Sequence, residues 1–290
     1  MPNRKEELII GGIRAVLNGT ARLSPRRAGK LGYRLLCRPR RRSLDPIDMD
    51  FVNDSIQKKI TLAGIPTQTY HWPGDGPGVL LLHGWESQTG RWSAYYTALK
   101  AAGFSIYAFD APAHGKSGGD NFTVIEYAAV MKAYLECLDD PPVNWVGHSG
   151  GGMAIFYYLS EMEYRIKPNR IVAMSVPAEL TDFLNIVQRV LQLKRKVVDG
   201  IEQEFTRRMN LSFKDISPRR YAKKVNVPGL IIHDVGDELA PIEGAEDIYQ
   251  NWKNSSLIIT EGLGHTLTGV EVVELITEYM LLDDSELQGA

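Results

Sequence analysis

Cysteine is almost absent: Cys37 and Cys137 are the only two in 290 residues. Two thiols cannot build the several-bridge framework of a small secreted domain, and without a C-x-x-C pair they cannot supply a thiolate zinc site. They read as free thiols in a reducing compartment. Long hydrophobic runs are also missing. Apolar runs such as Gly78-Val79-Leu80-Leu81-Leu82 are short, far below the roughly 20 residues that cross a bilayer. At the N-terminus Glu6, Glu7 and Arg14 interrupt any apolar signal-peptide core, so a cytoplasmic location is expected. The six histidines (His71, His83, His114, His148, His233 and His265) are scattered with no H-x-x-x-H pair, which argues against a metal site. No Lys-Ser or Lys-Thr pair follows the glycines of residues 147–151, as a phosphate loop needs, and that stretch is not the G-x-G-x-x-G that opens a dinucleotide fold. No cofactor is therefore expected.

What is present is ordinary globular material, 44% hydrophobic and 23% charged, enough for one large domain or two small ones. The net charge of −2 conceals an asymmetry. Residues 21–42 hold nine of the 33 basic residues and none of the 35 acidic ones, so a basic arm precedes an acidic body. Leu23, Leu31, Tyr33, Leu35 and Leu36 are spaced among the arginines, as in a helix that docks by one face. Two readings stay open for the arm: packing onto the body, or contact with an anionic membrane surface. Aromatic residues are too sparse among the arginines for base stacking, and no nucleic-acid partner is expected.

Helical patterns cover residues 5–19 and 26–37, and residues 43–54 read as a polar linker. Alternating strands at 55–62 and 66–72 are followed by a solid apolar strand at 79–82. Helices and strands then take turns. Helices are predicted at 92–102, 123–137, 152–160, 242–252 and 270–282, and strands at 105–109, 143–146, 170–175, 229–233 and 256–259. That alternation predicts an α/β architecture with a mostly parallel central sheet flanked by helices. Between residues 176 and 227 no strand is legible and the pattern is helical. An insertion of that size is expected to form a lid. The expected organisation is a basic helical arm (1–50), a core (51–177 and 227–290) and a helical cap insertion (178–226).

Gly147-His148-Ser149-Gly150-Gly151 fits G-x-S-x-G between a predicted strand and a predicted helix, the context of a nucleophile elbow. The tight turn strains the serine backbone and demands small neighbours two positions away, as Gly147 and Gly151 are. A serine hydroxyl needs a base, and the base needs an orienting acid. The strand ending at His233 runs into Asp234, Asp237 and Glu238, and the strand ending at Ile259 runs into His265. The order is serine, acid, histidine.

These blocks resemble the α/β-hydrolase superfamily. The resemblance rests on His83-Gly84-Trp85, on Asp110-Ala111-Pro112-Ala113-His114-Gly115-Lys116-Ser117 (with Ala113 where the family has glycine), on the elbow, and on the 233–241 and 262–265 loops. It covers roughly residues 55–177 and 227–285. The resemblance implies that Ser149 attacks an acyl carbon, that His265 shuttles the proton, and that Asp237, which precedes Leu239-Ala240-Pro241 at the family spacing, orients the histidine. The N–H groups of Trp85 and Gly150 would form the oxyanion hole. His83, His114, His148, Asp110 and Asp234 are expected as scaffold. The implied function is a serine hydrolase acting on a small-molecule carboxylic ester or thioester through an acyl-enzyme. An acyltransferase with the same triad, and a ligand-binding protein of hydrolase fold, are the alternatives.

Overall fold

The structure, a computed structural model, describes residues 4–282. The expected arm and core extend beyond these at both ends, and there they lie outside the described residues. Two compact units divide the chain: residues 1–38 with 179–217, and residues 39–178 with 218–290.

The first unit is helical. It contains α1 (Arg4–Leu23) and α2 (Pro25–Cys37) from the arm, and α7 (Leu180–Leu191) and α8 (Arg195–Met209) from the insertion. Ser24 caps α2, its hydroxyl accepting from Arg27 N, and Pro25 occupies the first helical position, where its missing N–H costs nothing. Glycine lets α2 and α8 touch. A Cβ on Gly29 would stand 2.6 Å from Gly200 Cα, and one on Gly32 would stand 2.6 Å from the Ile201 side chain. Tyr33 packs against Phe205, and the Arg208 guanidinium lies over the Tyr33 ring at 4.9 Å. Arg14 Nε donates to Leu191 O, and Asn18 accepts from Lys194 N while donating to Gln192 O. The arm and the insertion, far apart in sequence, thus share one core, and the N-terminal segment of this unit ends at residue 38.

The second unit is an eight-stranded sheet: β1 (Ile56–Leu62), β2 (Ile65–Trp72), β3 (Gly78–Leu82), β4 (Ser105–Phe109), β5 (Asn144–His148), β6 (Arg170–Met174), β7 (Gly229–Asp234) and β8 (Ser255–Thr260). Their order across the sheet is β1-β2-β4-β3-β5-β6-β7-β8. β1 and β2 form an antiparallel edge hairpin and β3 to β8 run parallel. The hairpin turn is Ala63-Gly64, both at positive φ (47° and 79°), as a two-residue turn between right-twisted strands requires. β5, β6 and β7 are buried at every position, which is why they read as unbroken apolar runs.

Flanking the sheet are α4 (Ser93–Ala101), α5 (Val124–Glu136), α6 (Gly150–Glu161), the short α9 (Pro218–Tyr221), α10 (Ile242–Asn251) and α11 (Val270–Leu281). The 43–54 segment, expected as a linker, contains α3 (Pro46–Asn53). Asp45 caps it by accepting from Asp48 N, and Phe51 stacks on Trp72 at 4.3 Å. Its polar composition concealed a helix held to the core by Phe51, which also meets Tyr96, and by buried Val52. Cys37 and Cys137 are both thiols, one buried and one exposed. Among the described residues no helix is long and apolar enough to cross a membrane.

Candidate active site

Ser149 sits between β5 and α6 with φ 51° and ψ −116°, a strained conformation for a residue with a side chain. Packing fixes this turn. A Cβ on Gly147 would stand 2.6 Å from Gly152 Cα, and one on Gly151 would stand 2.6 Å from the Leu82 carbonyl carbon and 2.9 Å from His83 O. α6 can therefore begin against the ends of β3 and β5 only if both positions lack side chains. Gly84 likewise lets the loop after β3 reach the serine, since its Cβ would lie 3.0 Å from Ser149 Cβ.

The sheet carries the partners to the same end. His265 Nε2 lies 3.1 Å from Ser149 Oγ, and His265 Nδ1 lies 2.8 Å and 3.0 Å from the two oxygens of Asp237. Asp237 is buried, and its Oδ1 also accepts from Leu239 N and Ala240 N, each at 2.8 Å. Burial opposes its ionisation, but the hydrogen bonds from His265, Ala240 and Leu239 outweigh that and hold the carboxyl below the usual range. Of the three acidic residues on this loop, Asp237 is the one that meets His265. Asp234 accepts from Gly236 N, Thr260 Oγ1 and Leu263 N, each at 2.9 Å, and so ties the two loops together. Glu238 faces solvent.

The histidine loop has further anchors. His148 Nε2 donates to His265 O at 2.7 Å, Arg91 Nη2 to Thr266 O at 2.8 Å, and Tyr95 Oη to Leu267 O at 2.7 Å. Burial pushes His148 well below its ordinary range, so it donates as a neutral ring. Arg91 and Tyr95 were not singled out from the sequence. They lie in a 3₁₀ helix and in α4, carry no local motif, and reach the loop only through the fold.

The loop after β3 is braced in the same manner. Trp85 N lies 3.5 Å from where a Gly150 Cβ would stand, so the loop after β3 comes close to the start of α6 beside Ser149. Phe122 packs there too, its Cζ 3.4 Å from the same point. Neutral His83 donates from Nδ1 to Gly84 O and accepts Ala111 N at Nε2. Neutral His114 donates to Pro112 O and accepts Glu86 N. Burial lowers His83 to about 4 and His114 to about 3. Glu86 takes φ 52° and is gripped by Arg40, whose Nε lies 2.9 Å from both carboxylate oxygens. Asp110 accepts from Thr89 N, Lys116 N and Tyr70 Oη, holding its turn together. Ala113 in that turn adopts φ 63°, the left-handed conformation for which the family uses glycine. Among the described residues no group of three or more His, Cys, Asp or Glu side chains is placed to hold a metal.

The family model described as the alpha/beta hydrolase fold matches residues 77–212. The sheet order and the strand–serine–helix turn agree with it. The chain has the α/β-hydrolase fold. The chain is 32% identical over 158 residues to an uncharacterized protein of Mycobacterium tuberculosis, an alignment covering 53% of this chain and 44% of that protein. It thus spans less than half the length of that curated relative. It is 22% identical to the bifunctional esterase/perhydrolase of Acinetobacter calcoaceticus, over 69% of this chain and 88% of that one. Among solved structures, an esterase of Pyrococcus furiosus superposes with a TM-score of 0.65 at 20% identity, covering 84% of this chain and 97% of the esterase. The thioesterase domain from the curacin biosynthetic pathway superposes with a TM-score of 0.58 at 16% identity, covering 79% and 99%.

Proposed function

We propose that the protein is a serine hydrolase that cleaves a small-molecule carboxylic ester or thioester through an acyl-enzyme on Ser149. The observation that carries this reading is the continuous chain Ser149 Oγ–His265 Nε2–His265 Nδ1–Asp237 on a strained turn. In the proposed cycle Ser149 Oγ attacks the acyl carbon as His265 Nε2 takes its proton. The N–H groups of Trp85 and Gly150 receive the developing oxyanion, each worth about 3–4 kcal/mol in the transition state. Collapse breaks the acyl–oxygen or acyl–sulfur bond, and the imidazolium returns the proton to the leaving alcohol or thiol. Water then attacks the acyl-enzyme, gives its proton to His265, and releases the acid as Ser149 regains its hydrogen. Asp237, held ionised, keeps the Nδ1–H tautomer and stabilises the imidazolium.

The esterase and thioesterase neighbours support an ester or thioester as the substrate class. The test is a fluorophosphonate probe and a short p-nitrophenyl ester. The parent is expected to label at Ser149 and turn the ester over. Ser149→Ala is expected to do neither, and a variant that cleaves at the parent rate refutes the reading.

A further inference from the structure

We propose that the outward face of α1 and α2 is a docking surface for an anionic lipid bilayer. From Leu8 to Leu44 the chain contains no acidic residue, while Arg22, Arg26, Arg27 and Arg34 all stand exposed on these two helices. Between them lie large aliphatic side chains turned to solvent. Leu8 is 71% exposed, Ile9 54%, Val16 59% and Leu23 92% on α1, with Leu31 and Leu35 also exposed on α2. These are not scattered. Leu8, Gly12, Ala15, Val16, Gly19 and Leu23 recur at the spacing of one helical stripe, all exposed, and Arg27, Leu31, Arg34 and Leu35 repeat that spacing on α2. The opposite faces are already used, with Leu17, Ala21, Ala28, Tyr33 and Leu36 buried.

Each helix therefore has a packed face and an exposed aliphatic face, with Arg22 at the end of α1 and Arg26, Arg27 and Arg34 on α2 supplying the guanidinium groups. Such a surface suits a bilayer interface, where aliphatic side chains enter the acyl boundary and arginines meet lipid phosphates. Charge decides against the other occupants. A second copy of the chain docking on the same face would place arginine against arginine with no acid from Leu8 to Leu44 to answer it. A nucleic acid would use the arginines but would leave Leu8, Val16 and Leu23 in water. The inference is independent of the hydrolase reading, because binding alone reads it out.

The experiment is co-sedimentation of the full chain with vesicles of phosphatidylcholine, alone or mixed with phosphatidylglycerol. Binding is expected with the anionic vesicles only, falling as salt is raised. Arg26→Gln/Arg27→Gln/Arg34→Gln is expected to lower the partition coefficient about a hundredfold, the effect of three interfacial arginines. Leu23→Ser/Leu31→Ser, which leaves the charge untouched, is expected to lower it as well. All five positions are exposed, and circular dichroism confirms that the variants fold. Equal binding to neutral vesicles, or unchanged binding of either variant, overturns the proposal. So does duplex DNA binding that the leucine variant does not alter, or a dimer that the leucine variant dissociates.

Discussion

Replacing Asp237 with asparagine tests the proposed chemistry most directly, because the structure dictates how the amide must sit. Oδ1 accepts from both Leu239 N and Ala240 N. An asparagine must keep its carbonyl oxygen there, since its NH₂ group would face two donors. The NH₂ then takes the place of Oδ2, 2.8 Å from His265 Nδ1. A donor at that point forces Nδ1 to accept, which moves the ring proton to Nε2 and aims it at Ser149 Oγ, 3.1 Å away. The base can no longer take the serine proton. The size of the side chain is unchanged, so the cost falls on the tautomer and on stabilisation of the imidazolium. The expected loss in kcat is about 10⁴-fold, or about 5.5 kcal/mol. The assay is kcat and KM on a p-nitrophenyl ester, with circular dichroism to confirm folding. Asp234→Asn is the control. It turns a donor toward Thr260, Leu263 or Gly236 and is expected to cost about 1–3 kcal/mol in stability with a smaller loss of rate. Asp237→Asn within tenfold of the parent, or Asp234→Asn the slower of the two, refutes the reasoning.

Gly151→Ala places a methyl 2.6 Å from the Leu82 carbonyl carbon, and because backbone cannot swing aside the expected cost is about 3 kcal/mol in urea unfolding. Arg40→Ala removes the ion pair to Glu86, whose own side chain is only 9% exposed, so its stability cost should be about 1–3 kcal/mol. Because Glu86 follows the Trp85 amide, kcat should fall with KM little changed, and equal loss in both would count against the brace. Stability should also decline with acid. His83 and His114 bind protons in the folded state only near about 4 and 3, and His148 likewise well below its usual range. The unfolded chain takes them up near 6.5, so it binds more protons in between. Their contribution is complete above about pH 6.5 and is lost as pH falls toward the folded values, by about 1.4 kcal/mol per pH unit for each histidine. Urea midpoints between pH 7.5 and 5 that do not move would contradict this.

Strand and helix alternation, and the glycines flanking Ser149, were legible in the sequence because they answer to local constraints. A strand buried on both faces must be apolar throughout, and a serine on a tight turn must have small neighbours. The polar segment holding α3 hid its helix, because only Phe51 and Val52 are buried there, and Phe51 finds its partners on β2 and α4. Asp234, Asp237 and Glu238 are three carboxylates on one loop, and no spacing rule separates them by chemistry. The backbone donors of Leu239 and Ala240, and the path of the 260–265 loop, turn one of them to His265 and another to Thr260 and Leu263.

The sequence alone determined that this chain folds around a mostly parallel sheet, that a serine ends its central strand, and that the basic charge is confined near the N-terminus. Those properties follow from periodicity, steric need and composition, which are read a few residues at a time. Only the tertiary structure decided that the arm shares a core with the insertion through Gly29 and Gly200. It also set Arg91, Tyr95 and His148 to hold the histidine loop, and turned the aliphatic stripe of α1 outward. Each depends on contacts between residues far apart in the chain, and no local pattern records which distant backbone will arrive where a side chain is missing.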